Sequence, residues 1–150
     1  MRRSLSIVLL LASAACRSHV VEEPVAVTPS PIPLAAVNGP RPAVDAFMSA
    51  IKAQDLQALS AAWGDKTGSV RDNGVIARAE LEQRELVLIR CFRNDGYRIL
   101  GDSPAADGER AVQLELTRGT ATRVVDFLTT RGPDRWYVRH ANVADLCAAK

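Results

Sequence analysis

The sequence predicts an α+β domain: N-terminal helices packed on a curved, antiparallel four-stranded meander. Three observations carry this expectation. Apolar residues recur at helical spacing from Val44 to about Phe92. From Tyr97 onward the period switches to alternation, clearest in Val112, Leu114 and Leu116 against Gln113 and Glu115. Short turn sequences then separate the alternating runs, which implies consecutive antiparallel strands. Helices followed by strands belong on one face of such a sheet. At 150 residues the chain is one domain plus extra segments.

The chain divides into residues 1–15, 16–41 and 42–150. Arg2 and Arg3 form a basic front end, and an apolar run starts at Leu5. That run falls far short of the ~20 residues a membrane-spanning helix needs. A basic start, a run of this length and a small-residue exit match a cleaved export signal. Ser13-Ala14-Ala15-Cys16 resembles the lipobox of bacterial lipoproteins, with Ser13 where that family usually has Leu, Val or Ile. The resemblance implies cleavage before a lipid-modified Cys16. The alternative is an ordinary secretory signal with an incidental cysteine. Burial of about 0.8 kcal/mol per methylene makes two or three acyl chains a lasting anchor. Arg17 stands where lipoproteins kept at the inner membrane carry Asp. The resemblance therefore implies a cell-envelope protein of the outer membrane, facing the periplasm.

From Arg17 to about Pro42, prolines at 24, 29, 31, 33, 40 and 42 interrupt small and β-branched residues. Each removes a donor and fixes φ, so an extended tether is expected. The folded domain should begin near Pro42, which suits the first turn of a helix. Val44, Phe47, Met48 and Ile51 form its apolar stripe. Asp55 is placed to cap a second helix whose Leu56, Leu59, Ala62 and Trp63 face inward. Gly64 to Gly68 ends it, Val70 and Arg71 read as a short strand, and Asp72-Asn73-Gly74 as a turn. A third helix should run from about Ala77 to Phe92. Its broad apolar face uses Leu81, Val87, Leu88, Cys91 and Phe92, and Glu80 and Arg84 sit four apart in the favourable order.

Four strands follow: Tyr97 to Leu100, Arg110 to Thr117, Thr122 to Thr130, and Trp136 to Val143. Turns are expected at Ser103-Pro104 with Asp107-Gly108, at Arg118-Gly119-Thr120, and at Arg131 to Asp134. In the tail, Leu146 and Cys147 can pack back on the domain.

Charge and cysteines narrow the function classes. Loss of Arg2 and Arg3 brings 19 basic residues to 17, matching the 17 acidic ones. A neutral chain without a lysine-rich face has no footprint for nucleic acid. With Cys16 lipidated, Cys91 and Cys147 remain, an even pair in an oxidising compartment, and a disulfide between them is expected. Two buried free thiols, or a zinc site with His140, are the alternatives; the zinc site lacks a close ligand pair. No metal or cofactor is expected. Lys66-Thr67-Gly68 lacks the order of a phosphate loop, and no Gly-x-Ser-x-Gly or His-Glu-x-x-His occurs.

Two helical segments, a short strand region, a third helix and a terminal meander resemble the NTF2-like family, also called SnoaL-like or cystatin-like α+β. The stretch from Ala43 to Leu59 is similar to the start of many such domains. The resemblance covers roughly Pro42 to Val143. It implies a cone closed by the helices, often with a pocket at its open end. The family includes isomerases, dehydratases, cyclases and pure binding modules, so fold does not choose function.

Asp126 and His140 are the catalytic candidates. Asp126 shares a strand face with Val124 and Leu128, and burial there would raise its pKa and make it a usable base. His140 lies on the next strand, on a face with Trp136 and Val138. Apolar residues on both faces of Asp126's strand leave its inner face open. Phe47, Ile51, Trp63 and Trp136 are candidates to line a pocket. The first expectation is a non-catalytic, lipid-anchored module binding a small apolar ligand or a protein. An isomerase- or dehydratase-type enzyme using Asp126 and His140 is the second. A homodimer serving as an assembly subunit is the third.

Overall fold

The structure is a computed structural model that describes residues 38–147. The expected export signal, Cys16, and the tether up to residue 37 lie outside the described residues. Helix α1 (Pro40–Ala53) starts two residues earlier than expected, with Pro40 and Pro42 both inside its first turn. Proline costs nothing there, because first-turn N–H groups have no helical partner. Its stripe of Val44, Phe47, Met48 and Ile51 is buried. Gln54 ends the helix in a left-handed conformation, φ 55°.

Helix α2 (Leu56–Ala62) starts on Asp55, whose carboxylate accepts the Ala58 N–H at 3.0 Å. The expected Val70–Arg71 strand is instead a two-residue hairpin just before it, β1 (Gly64–Asp65) and β2 (Gly68–Ser69). Asp65 closes that turn by accepting from Thr67 N–H at 2.7 Å and from its hydroxyl at 2.5 Å. Those bonds turn the chain at Lys66-Thr67, and the N–H of the buried Val70 closes the hairpin on the Trp63 carbonyl at 2.9 Å, just past the paired strands. Trp63 forms a parallel bridge to Val138 and ties this end of α2 to the sheet.

Helix α3 (Arg78–Cys91) matches its expected span. Its buried face differs from expectation. Leu81, Glu85 and Cys91 are buried, whereas Val87 is 43% exposed and Leu86 58% exposed. A glutamate stands where an apolar residue would complete the stripe.

The sheet is β3 (Gly96–Pro104), β4 (Arg110–Arg118), β5 (Ala121–Arg131) and β6 (Trp136–Ala141), in that order and antiparallel throughout. Ser103 and Pro104, expected in a turn, pair with Ala111 and Arg110 and extend β3. Proline is tolerated there because β3 is an edge strand. A bulge at Leu100, between Ile99 and Gly101, shifts the register. At the other end β6 stops at Ala141, short of Val143, and the short helix α4 (Ala144–Cys147) follows.

Helices α1, α2 and α3 lie on one side of the sheet. The core centres on three rings. Phe47 of α1 meets Phe92 and Phe127 edge-on, with centroids 6.1 and 5.9 Å away, and Phe92 and Phe127 are 5.2 Å apart. Cys91 and Cys147 form a disulfide, with Cα atoms 4.7 Å apart, joining the end of α3 to α4.

Candidate functional site

Strand pairing decides where the candidate residues point. Val112 and Leu114 of β4 are fully buried and stand opposite Phe127 and Val125 of β5. Paired residues share a face, so Val125 and Phe127 face the helices and Asp126 faces solvent. Asp126 is exposed and accepts a hydrogen bond from Gln113 Nε2 at 3.3 Å. His140 stands opposite Leu128 on the same outer face and is exposed. No hydrogen bond joins Asp126 and His140 among the described residues. Asp126 therefore lacks the burial that the catalytic reading requires.

The pocket candidates separate as well. Phe47 and Ile51 are 1% and 3% exposed, within the core cluster. Phe47, Phe92 and Phe127 pack against one another between α1, the end of α3 and β5. Trp136 is half-buried at the start of β6, opposite Arg131. Trp63 borders a surface depression.

That depression is a shallow, solvent-open groove of about 500 Å³ between Trp63 and the flank of α3. Val87, Leu88 and Trp63 supply its apolar surface, and Glu80, Gln83 and Arg84 its polar edge. The edge is held by an ion pair, Arg84 Nη2 to Glu80 at 2.6 Å. Both partners are about half exposed, so the pair is worth only a few tenths of a kcal/mol and serves mainly to order the rim. Trp63 reaches this place because it caps α2, with its N–H on the Leu59 carbonyl, while its backbone is fastened to Val138. The apolar spacing of α3 marked Val87 and Leu88, but as core.

Elsewhere on α3, Glu85 is 2% exposed, and its Oε1 has no hydrogen-bond partner among the described residues. Burial pushes its pKa above the ordinary carboxylate value, and the neighbouring Glu82 adds to the rise. Periodicity gives no signal for this residue, since it reads as one more charge on a charged helix.

Two further clefts lie on and beside the outer sheet face. One, about 260 Å³, follows the Leu100 bulge and runs from Gly101 and Ser103 to Gln113 and Asp126. The other, about 400 Å³, lies along the part of β5 that extends past β6, from Thr122 to Asp126, with Asn142 and Leu146. Comparisons with protein-family models, with curated proteins and with solved structures find no match to this chain.

Proposed function

We propose that the chain is a lipid-anchored envelope module that binds an apolar segment of a protein partner in the groove between Trp63 and α3, without catalysis. One observation carries this reading. Leu86 and Val87 are the largely exposed apolar side chains of α3, and Val87 forms the groove with a tryptophan. Tryptophan is among the residues enriched in binding hot spots, and the aliphatic side chains beside it add apolar area. A small-molecule site would enclose most of its ligand, and this groove is open along its length. An open apolar groove on a helix flank suits a helical or extended segment of another protein. The helices-on-sheet arrangement is compatible with an NTF2-like domain, and that family assignment is part of the proposal. So are lipidation at Cys16 and an outer-membrane address. The catalytic alternative draws less support, because Asp126 and His140 are both exposed and do not touch.

A photo-reactive residue placed at Val87, and separately at Val124 on the outer sheet face, tests the groove in intact cells. A discrete adduct from position 87, absent from 124 and lost with Trp63→Ala, is the expected result. Equal labelling from both positions would remove the groove from the reading. The address is tested apart from this: Cys16→Ser should abolish incorporation of labelled palmitate.

A further inference from the structure

The sheet protects its edges unevenly. An open strand edge offers unpaired N–H and C=O groups to any other strand, so folded chains interrupt or cover it. The free edge of β3 is broken by the bulge at Leu100 and ends on Pro104. The far edge of β6 is covered where Trp63 bridges Val138. Strand β5 has a third stretch of edge, because its pairing with β6 begins only at Phe127. From Thr122 to Val125 no described residue pairs with that side. The stretch holds neither proline nor lysine, and it contains two consecutive valines.

Backbone alternation arms this edge. The Asn142 N–H reaches the Asp126 carbonyl at 3.5 Å, so Asp126 directs its backbone groups toward the β6 side. Every second residue of a strand does the same. Val124 and Thr122 therefore direct N–H and C=O to the open side, whereas Arg123 and Val125 direct theirs to β4. On the outer face Val124 is 56% exposed. On the helix side Val125 is buried, and Arg123 is exposed and makes no ion pair among the described residues. The cleft of about 400 Å³ along this edge has room for a main chain whose side chains project to both faces.

Residues 16–37, outside the described residues, contain one stretch whose sequence complements the edge. Glu22 and Glu23 are the only acidic residues among them, and Val20 and Val21 come directly before. Laid antiparallel, Val20, Val21, Glu22 and Glu23 stand opposite Val125, Val124, Arg123 and Thr122. Val21 then covers Val124, Glu22 meets Arg123, and Val21 and Glu23 exchange backbone hydrogen bonds with Val124 and Thr122. Pro24 falls where its nitrogen points away from β5, so no bond is lost. A shift of one residue would put Pro24 opposite Thr122, where a donor is required. The chain also has the reach. Arg41 holds the start of α1 at Asp102, which lies level with Val112 and Phe127 in the strand register. Five strand residues and three strand spacings, roughly 17 and 14 Å, separate that point from the place of Glu23. The fifteen residues from Glu23 to Asn38 span roughly 45 Å when extended as a proline-rich segment.

We propose that residues 20–23 of the same chain add a fifth strand along the open edge of β5 and so form a strap. Its consequence rests on the reading of Cys16 as lipidated. Four residues, at most roughly 14 Å, then separate the anchor from the strapped sheet, against twenty-two residues and roughly 70 Å when the strap is released. The strap sets how far the domain stands from its membrane. The pairing itself does not depend on the lipid.

Amide exchange in the full chain, read by NMR, tests the strap. The Thr122 and Val124 amides should exchange about tenfold slower than in Val21→Pro, which removes the donor facing Val124. The Arg123 and Val125 amides and the melting temperature should not change. Glu22 and Arg123 form a non-hydrogen-bonded pair with Cα atoms about 4.5 Å apart, within disulfide reach. Glu22→Cys/Arg123→Cys should therefore yield an intrachain bond between positions 22 and 123 by mass spectrometry without reduction, and Thr28→Cys/Arg123→Cys should not. Cys16→Ser should leave both results intact, which separates the strap from the address. Fast exchange at Thr122 and Val124 in the unaltered chain, or protection that survives Val21→Pro, would overturn the proposal. So would equal bonding from position 28, or a bond between positions 22 and 123 that joins two chains.

Discussion

Gln54 holds a left-handed backbone at the end of α1, where its N–H returns to the Ile51 carbonyl at 3.1 Å and the Asp55 N–H to the Ala50 carbonyl at 3.0 Å. A side chain in that conformation costs roughly 1 kcal/mol that glycine avoids. Gln54→Gly should therefore stabilise the domain by about 1 kcal/mol in denaturant unfolding. Gly132 presents the opposite case. A Cβ there would lie 2.5 Å from the Tyr137 ring, and one on Gly64 would lie 2.7 Å from its other edge. The ring is closed in on both sides, its hydroxyl donates to Asp134 at 2.5 Å, and burial drives its pKa up to about 12. Gly132→Ala should destabilise by about 1–3 kcal/mol, the usual range for overpacking. Asp72 is held low, at about 2, first by the Arg71 guanidinium and then by the Ser69 hydroxyl at 2.6 Å. Its folded-state value lies below the ordinary 3.8, so its contribution is whole above that value and is lost as pH falls through about 2. Carboxyl-carbon NMR should show Asp72 titrating near 2, and Ser69→Ala should move the midpoint up.

At the scale of elements, the contact between α2 and α3 contains a disagreement between pattern and packing that has energetic consequences. Glu85 turns toward α2, where Ser60 spends its hydroxyl on the Leu56 and Gln57 carbonyls at 2.8 and 3.2 Å. A buried carboxyl with an unmet oxygen costs stability when charged. Its folded-state pKa is raised, so its contribution is most favourable below the ordinary value of 4.5 and is lost as pH rises through the folded value. Glu85→Gln should raise Tm at neutral pH, by on the order of 1 kcal/mol in stability, with the gain vanishing in acid. The entry of the chain is pinned differently. Asp102 on β3 accepts from Arg41 Nε at 2.7 Å and pairs with Arg110, and those bonds, Arg110 first, hold its carboxyl below the ordinary range. Acid should release the start of α1 only as pH falls below that depressed value. Amide exchange at residues 43–45 would report it.

For the whole molecule, the disulfide closes a long loop, with the two cysteines 56 residues apart. Reduction, or Cys91→Ser with Cys147→Ser, should cost about 4 kcal/mol by the chain-entropy account. The loss should fall on α4 first, because a single turn of helix has little to hold it besides this bond and Leu146. The outer sheet face carries polar side chains with scattered exposed apolar ones, Leu100 and Val124. The helix side is filled by phenylalanine. Surface grooves are therefore where recognition can occur, and two of them use residues that periodicity assigns to core or to solvent.

Local chemistry was enough to read the three main helices, Pro42 in the first turn of α1, the cap at Asp55, the four-strand meander and the pairing of Cys91 with Cys147. Each depends on neighbours within a few positions, or on counting an even pair of thiols. Tertiary structure alone decided that Asp126 faces water, that Phe47 fills space, that Glu85 is buried, and that Trp63 meets Val87. Strand β5 carries apolar residues on both faces, so its alternation is silent until β4 fixes the register. That β6 stops at Ala141 and leaves Thr122 to Val125 of β5 without a neighbour among the described residues is likewise visible only in the pairing. Periodicity describes one element at a time, whereas a site is made where several meet.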